Sequence, residues 1–162
     1  MGGPGPGPGV MGAVTFRRAT AADLPAIVAM LADDGLGRGR EDASLPLARG
    51  YVDGFAAIEA DPNQMLAVAG SDGVVVGTLQ LTFLPGLSHK GAWRGQVESV
   101  RVASSRRGTG LGQALMEWAV AACRARGCRM VQLTTDKTRA DAHRFYERLG
   151  FKASHEGFKL VL

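Results

Sequence analysis

Apolar and polar positions repeat along this chain with two periods, and each change of period marks an element. Val14–Arg18 (VTFRR) alternates as a short strand does. Thr20-Ala-Ala-Asp23 then places an N-cap and an acid three residues on, and Leu24, Ile27, Val28 and Leu31 recur at helical spacing until Gly35 closes the run. A charged, Gly-rich loop (Gly35–Ser44) leads to a second helical pattern over about Pro46–Glu59. Tyr51, Phe55 and Ile58 share one of its faces, and Asp61-Pro62 stops it. Gln64–Ala69 and Val74–Phe83 read as strands of a hairpin turning at Ser71-Asp72-Gly73. A turn-rich stretch near Pro85–Lys90 precedes a fourth strand, Gly95–Val102.

The order then changes. Strand Gly95–Val102, helix Gly110–Arg126 and strand Cys128–Thr135 form one βαβ unit, which requires parallel pairing of its two strands. A helix over Asp141–Leu149 and a last strand, Phe158–Leu162, complete the pattern. The predicted fold is α/β: a mixed sheet of six to seven strands, antiparallel at its N-terminal end and continued by the crossover, flanked by about four helices. Residues 1–12 (MGGPGPGPGVMG) hold 6 of the 23 Gly and 3 of the 7 Pro. They read as a disordered leader or a cloning remnant, with one domain over 13–162.

Composition narrows the function. Of the 162 residues, 46% are apolar and 21% charged, as in a globular domain, and no apolar run approaches the ~18 residues of a membrane span. No signal peptide is visible, so a cytoplasmic location is expected. The net charge of +4 is unevenly divided: residues 1–81 carry 5 basic and 9 acidic side chains, residues 82–162 carry 14 and 6. Two partners of opposite sign fit this better than one basic surface for nucleic acid, so no nucleic-acid partner is expected. Cys123 and Cys128 are too few for a zinc site or a disulfide framework, and His89, His143 and His155 have no metal-binding spacing; no metal is expected.

The most informative segment is Val97–Leu115 (VESVRVASSRRGTGLGQAL), where a β-branched strand runs into Arg107-Gly108-Thr109-Gly110-Leu111-Gly112 at the start of an amphipathic helix. Glycines let backbone N–H groups approach a ligand, the helix terminus adds about half a positive charge, and Arg106 and Arg107 bring two more. A pyrophosphate ligand suits this chemistry. A dinucleotide site wants G-x-G-x-x-G, but Gln113 holds the third position and only one βαβ unit is present, although Asp136 ends the next strand as a ribose-binding acid would.

Arg107-x-x-Gly110-x-Gly112 resembles the acyl-CoA pyrophosphate loop of the GNAT superfamily of N-acetyltransferases. Ala142-His-Arg-Phe-Tyr-Glu-Arg-Leu-Gly-Phe151 is similar to that family's Ala-x-x-Phe-Tyr-x-x-x-Gly-Phe helix. The order of elements from Val14 to Leu162 agrees, and Arg139 stands where many members carry Asn. The resemblance implies a GNAT-like fold, acetyl-CoA as cosubstrate, and direct transfer to a primary amine of a small molecule or peptide, with dimers frequent. A non-catalytic acyl-CoA-binding regulator of the same fold is the alternative.

On that resemblance Val100, Arg101 and Val102 are expected along the pantetheine arm, and Arg107, Gly108, Thr109, Gly110, Leu111 and Gly112 at the phosphates. Tyr146 is the candidate acid for the leaving thiolate, since a phenol of pKa ~10 is protonated at neutral pH; it could also simply pack with Phe145. Glu98 is the candidate base, with an ion pair to Arg94 or Arg101 as its other use. Strict alternation puts Glu98, Val100 and Val102 on one face of the strand, and Val97, Ser99 and Arg101 on the other. By the same resemblance the loop after the first helix and the second helix shape the acceptor site; Asp33, Asp34, Glu41, Asp42, Asp53 and Glu59 there form either an acidic rim that would draw in a cationic amine or an ordinary solvated helix surface.

Overall fold

The computed structural model describes residues 10–11 and 13–162, and among them six strands form one sheet in chain order. They are β1 (Val10–Met11), β2 (Val14–Arg18), β3 (Gln64–Ser71), β4 (Val74–Leu84), β5 (Arg94–Val102) and β6 (Met130–Leu133). The first five pair antiparallel in sequence. Beyond β5 the direction changes. The Arg129 N–H donates to the Trp93 carbonyl at 2.9 Å and the Gln132 side chain to that of Gln96 at 2.6 Å. Both partners advance together, so β6 runs parallel to β5, as a crossover requires. The mixed α/β fold expected from the pattern is the one observed. The sheet begins inside the Gly/Pro-rich stretch, at Val10–Met11; the rest of that expected leader, residues 1–9 and 12, lies outside the described residues.

The chain divides into two compact units, one reaching to Gln132 and the other Leu133–Leu162. In the first, the helices α1 (Leu24–Ala32) and α2 (Arg49–Ala60) cover one sheet face. Leu24, Ile27, Phe55 and Val68 form their shared core. Helix α3 (Leu111–Ala125) covers the other face through Leu111, Leu115, Met116, Trp118 and Ala122. Leu79, Leu81 and Phe83 project from β4 into that side and are essentially inaccessible, as period-two alternation dictates. Gly95 lets the helix approach β5: a Cβ there would collide with the Cys123 Sγ. The residues near Pro85–Lys90 include a left-handed turn with φ of 53° at His89 and 61° at Lys90.

The second unit contains α4 (Ala140–Arg148). Its entry is built by Asp136, whose carboxylate accepts from the Thr138 N–H at 2.9 Å and its hydroxyl at 2.6 Å. These bonds hold the carboxyl below its ordinary range, the Thr138 side chain contributing most. The terminal strand expected at Phe158–Leu162 does not form. Residues 151–162 carry no regular structure, and Phe158 and Val161 are 92% and 93% exposed. An alternating apolar pattern makes a strand only when a ladder forms, and residues 158–162 join none among the described residues.

Candidate active site

The glycine-rich turn is built as the pattern requires. Gly108 and Gly110 have φ of 74° and 83°, left-handed values that an L side chain adopts only with strain. Gly110 is the N-cap of α3. The first bond of the helix runs from the Ala114 N–H to the Gly110 carbonyl at 3.1 Å, so the N–H groups of residues 111–113 have no intrahelical acceptor. A Cβ at Gly108 or Gly110 would meet nothing within 4 Å; the space in front of the loop is open. Arg107, Gly108, Thr109 and Gly110 are exposed, whereas Leu111 is 2% exposed and anchors the turn. The Thr109 hydroxyl donates to the Arg106 carbonyl at 2.6 Å and stiffens the turn. This cradle of N–H groups with an adjacent guanidinium suits a pyrophosphate.

Both arginines of the loop have partners. Arg106 donates to the buried Ser71 hydroxyl at 2.9 Å and ties the loop to the β3–β4 turn. Arg107 reaches the Asp33 carbonyl at 3.2 Å and its carboxylate at 3.6 Å. Arg101 pairs with Asp34 at 3.2 Å, with side-chain exposures of 13% and 15%. The end of α1 is thereby tied to β5 and to the loop. These pairs change the picture of an acidic rim, because Asp33, Asp34, Glu41 and Asp53 each face an arginine.

Strand β5 departs from strict alternation. Gln80 lies opposite Glu98 and Thr78 opposite Arg101, so two steps on β4 face three on β5. This is a β-bulge, and Ser99 has a φ of 54°. The extra residue reverses the phase beyond it. Glu98 and Arg101 therefore share the α1/α2 face, while Val102, opposite Gly77, turns to the α3 face. The expected grouping of Glu98 with Val102 is wrong for that reason. Glu98 is exposed, and the ion pairs among the described residues do not include it.

Between α1, α2 and the sheet lies a cavity of about 180 Å³. Leu24, Ile27 and Phe55 are among its walls, Thr78, Gln80 and Ser99 form its floor, and Gly50 and Gly54 line it from α2. The Thr78 hydroxyl donates to the Ala67 carbonyl at 2.9 Å and the Gln80 amide to the Gln64 side chain at 3.0 Å, so these two groups of the floor are already bonded. Tyr51, also on the wall, donates to the Glu41 carboxylate at 2.9 Å.

In the second unit, the Tyr146 ring meets Phe145 edge-on at 5.1 Å and Phe151 at 6.0 Å. Its carbonyl closes the helix by accepting from Leu149 and Phe151, each at 3.1 Å. His143 contacts the Asp136 carbonyl at 3.1 Å, a helix-entry role. Cys123 is 1% exposed, and burial pushes its thiol up to about 12, so it stays protonated and is no nucleophile.

Residues 32–151 match the acetyltransferase (GNAT) family, a span that contains the glycine loop and ends on the Phe151 of the helix motif. The chain belongs to that family. It is 34% identical over 153 residues to the aminoalkylphosphonate N-acetyltransferase of Salmonella typhimurium, covering 94% of each chain. It is 36% identical over 90 residues to the glucosamine 6-phosphate N-acetyltransferase of Trypanosoma brucei brucei, or 56% of this chain and 59% of that one. A solved structure described as a transcriptional regulator from Bacillus halodurans is 52% identical, with a TM-score of 0.90 over 92% of this chain and 99% of that one. This GNAT member is an acetyl-CoA-dependent N-acetyltransferase.

Two features of this acetyltransferase were missed in the pattern of its sequence. The bulge has no local signature, because Ser99 is an ordinary strand residue until pairing singles it out. The cavity had a faint one: Gly50 and Gly54, four apart in a helical stretch and so on one side of it.

Proposed function

We propose that the protein transfers the acetyl group directly from acetyl-CoA to the primary amine of a small molecule or peptide within a ternary complex. In this reading the Arg107–Gly112 loop holds the CoA pyrophosphate, with Leu111 anchoring it. The left-handed glycines at the N-terminus of α3 carry the proposal. The backbone of Val100, Arg101 and Val102 would pair with the pantetheine arm as an added strand does. The bonds from β6 to β5 reach Trp93 and Gln96, so β5 continues beyond them toward Val102, which supports this assignment.

The amine nitrogen attacks the thioester carbonyl carbon, a C–N bond forms and the C–S bond breaks. Tyr146 gives its hydroxyl proton to the departing sulfur, and the proton lost by the amine passes to Glu98, directly or through water. An amine of pKa ~10.4 is only about 0.04% neutral at pH 7, so a proton acceptor is needed whatever its identity. Release of free thiol from acetyl-CoA against an amine panel tests the reading. An acyl-CoA-binding regulator without turnover is the second reading, favoured by the description of the Bacillus halodurans relative. Tight CoA binding with no thiol release from any amine would establish that second reading instead.

A further inference from the structure

Helix α2 carries two exposed glycines at the edge of the cavity. Gly50 and Gly54 both line the cavity, and a Cβ on either would meet nothing within 4 Å. Glycine inside a helix is unfavourable relative to alanine. Gly95 is buried against a close neighbour, whereas Gly50 and Gly54 are exposed, so a larger side chain at either meets only solvent and the cavity mouth. The space kept open is apolar: no charged side chain lines it, and the Thr78 and Gln80 groups on its floor already bond to Ala67 and Gln64. Ser99 of the bulge lies on the cavity floor, and Glu98, the next residue and the candidate base, faces the same side of the sheet.

From these observations we infer that the acceptor is a primary amine carried on a compact apolar body, a branched alkyl group or a single ring. The apolar body lies against α1 and α2 beside Gly54, and the amine lies toward Glu98. The inference rests on the acetyltransferase reading. The size agrees: a cavity of roughly 150 Å³ lined by Leu, Ile and Phe is enough for benzene, and this one measures about 180 Å³. An acceptor whose body bears a phosphate or phosphonate would leave that charge without a cation among the lining residues.

The test compares 2-phenylethylamine and 3-methylbutylamine with 2-aminoethylphosphonate and glucosamine 6-phosphate, by thiol release and by calorimetric binding to the CoA-loaded protein. The variants are Gly54→Ala, Gly54→Leu and, on the exposed side of the same helix, Ala57→Leu. The apolar amines are expected to exceed the anionic ones at least tenfold in kcat/KM, with a gain of about fourfold per added methylene until the cavity is full. Gly54→Leu should weaken binding of 2-phenylethylamine at least tenfold. Both Gly54 variants should keep or raise Tm, by about 2–4 °C for alanine, since each favours the helix. Ala57→Leu should leave binding unchanged. Preference for the anionic amines, or binding indifferent to Gly54→Leu, overturns the inference. If no amine releases thiol, the acetyltransferase reading fails separately, and the calorimetric comparison still decides what the cavity binds.

Discussion

Replacing Asp23 by Asn probes how the α1 wall of the cavity is held in place. Asp23 is 7% exposed. Its carboxylate accepts two bonds from the Arg17 guanidinium, at 2.7 and 2.9 Å, and one from the Thr20 N–H at 2.7 Å, so it joins β2 to the start of α1. The Arg17 bonds, aided by Thr20, outweigh desolvation and lower the carboxyl from 3.8 to about 2. A carboxyl depressed in the folded state contributes stability in full above its unfolded pKa. That contribution disappears as pH falls toward the folded value. The shift corresponds to roughly 2.4 kcal/mol at about 1.36 kcal/mol per unit. Because the Arg17 side chain is 44% exposed, solvent screening reduces the expected effect to about 1–2 kcal/mol. Asn preserves the shape and one acceptor but not the charge. Urea unfolding of both proteins between pH 7 and 2.5 should show the full gap down to about pH 5. Below pH 4 the gap should shrink, approaching zero near pH 2. A gap that stays constant down to pH 2.5, or one below about 0.5 kcal/mol at pH 7, would refute the linkage.

Three further outcomes are expected. Tyr146→Phe should lower turnover by ~10²–10⁴-fold with CoA affinity intact; unchanged turnover removes the phenol from the reaction. Gly110→Asp should abolish CoA binding measured by calorimetry. Its left-handed φ of 83° adds a strain of about 1–2 kcal/mol that a domain of this size tolerates, and retained affinity would detach the loop from the phosphates. Cys123 should resist iodoacetamide at pH 8 in the native protein and react after unfolding. Rapid native modification would contradict its burial.

Much of the architecture was legible because its signals are local. Leu24, Ile27, Val28 and Leu31 repeat within one helical face, and the glycine turn carries its own conformational demand at Gly108 and Gly110. The ends were less legible. Phe158–Leu162 has the alternation of a strand, yet pairing depends on a partner that the segment does not encode. The choice between an acidic rim and an ordinary solvated surface was not legible, because charge counts do not say which carboxylates meet arginines. Asp33 and Asp34 find theirs in Arg107 and Arg101, more than sixty residues later in the chain.

Sequence alone determined the family, the order of most elements and the glycine-rich turn before α3, because their signals lie in short stretches of chain. Tertiary structure decided which side of β5 presents Glu98 and Arg101, since a bulge exists only in the register between two strands. It also decided what the gap beside Gly50 and Gly54 means. At Gly95 a neighbour fills the space of the missing side chain, whereas Gly50 and Gly54 lie exposed at the edge of the cavity, and only the arrangement of α1, α2 and the sheet distinguishes the two.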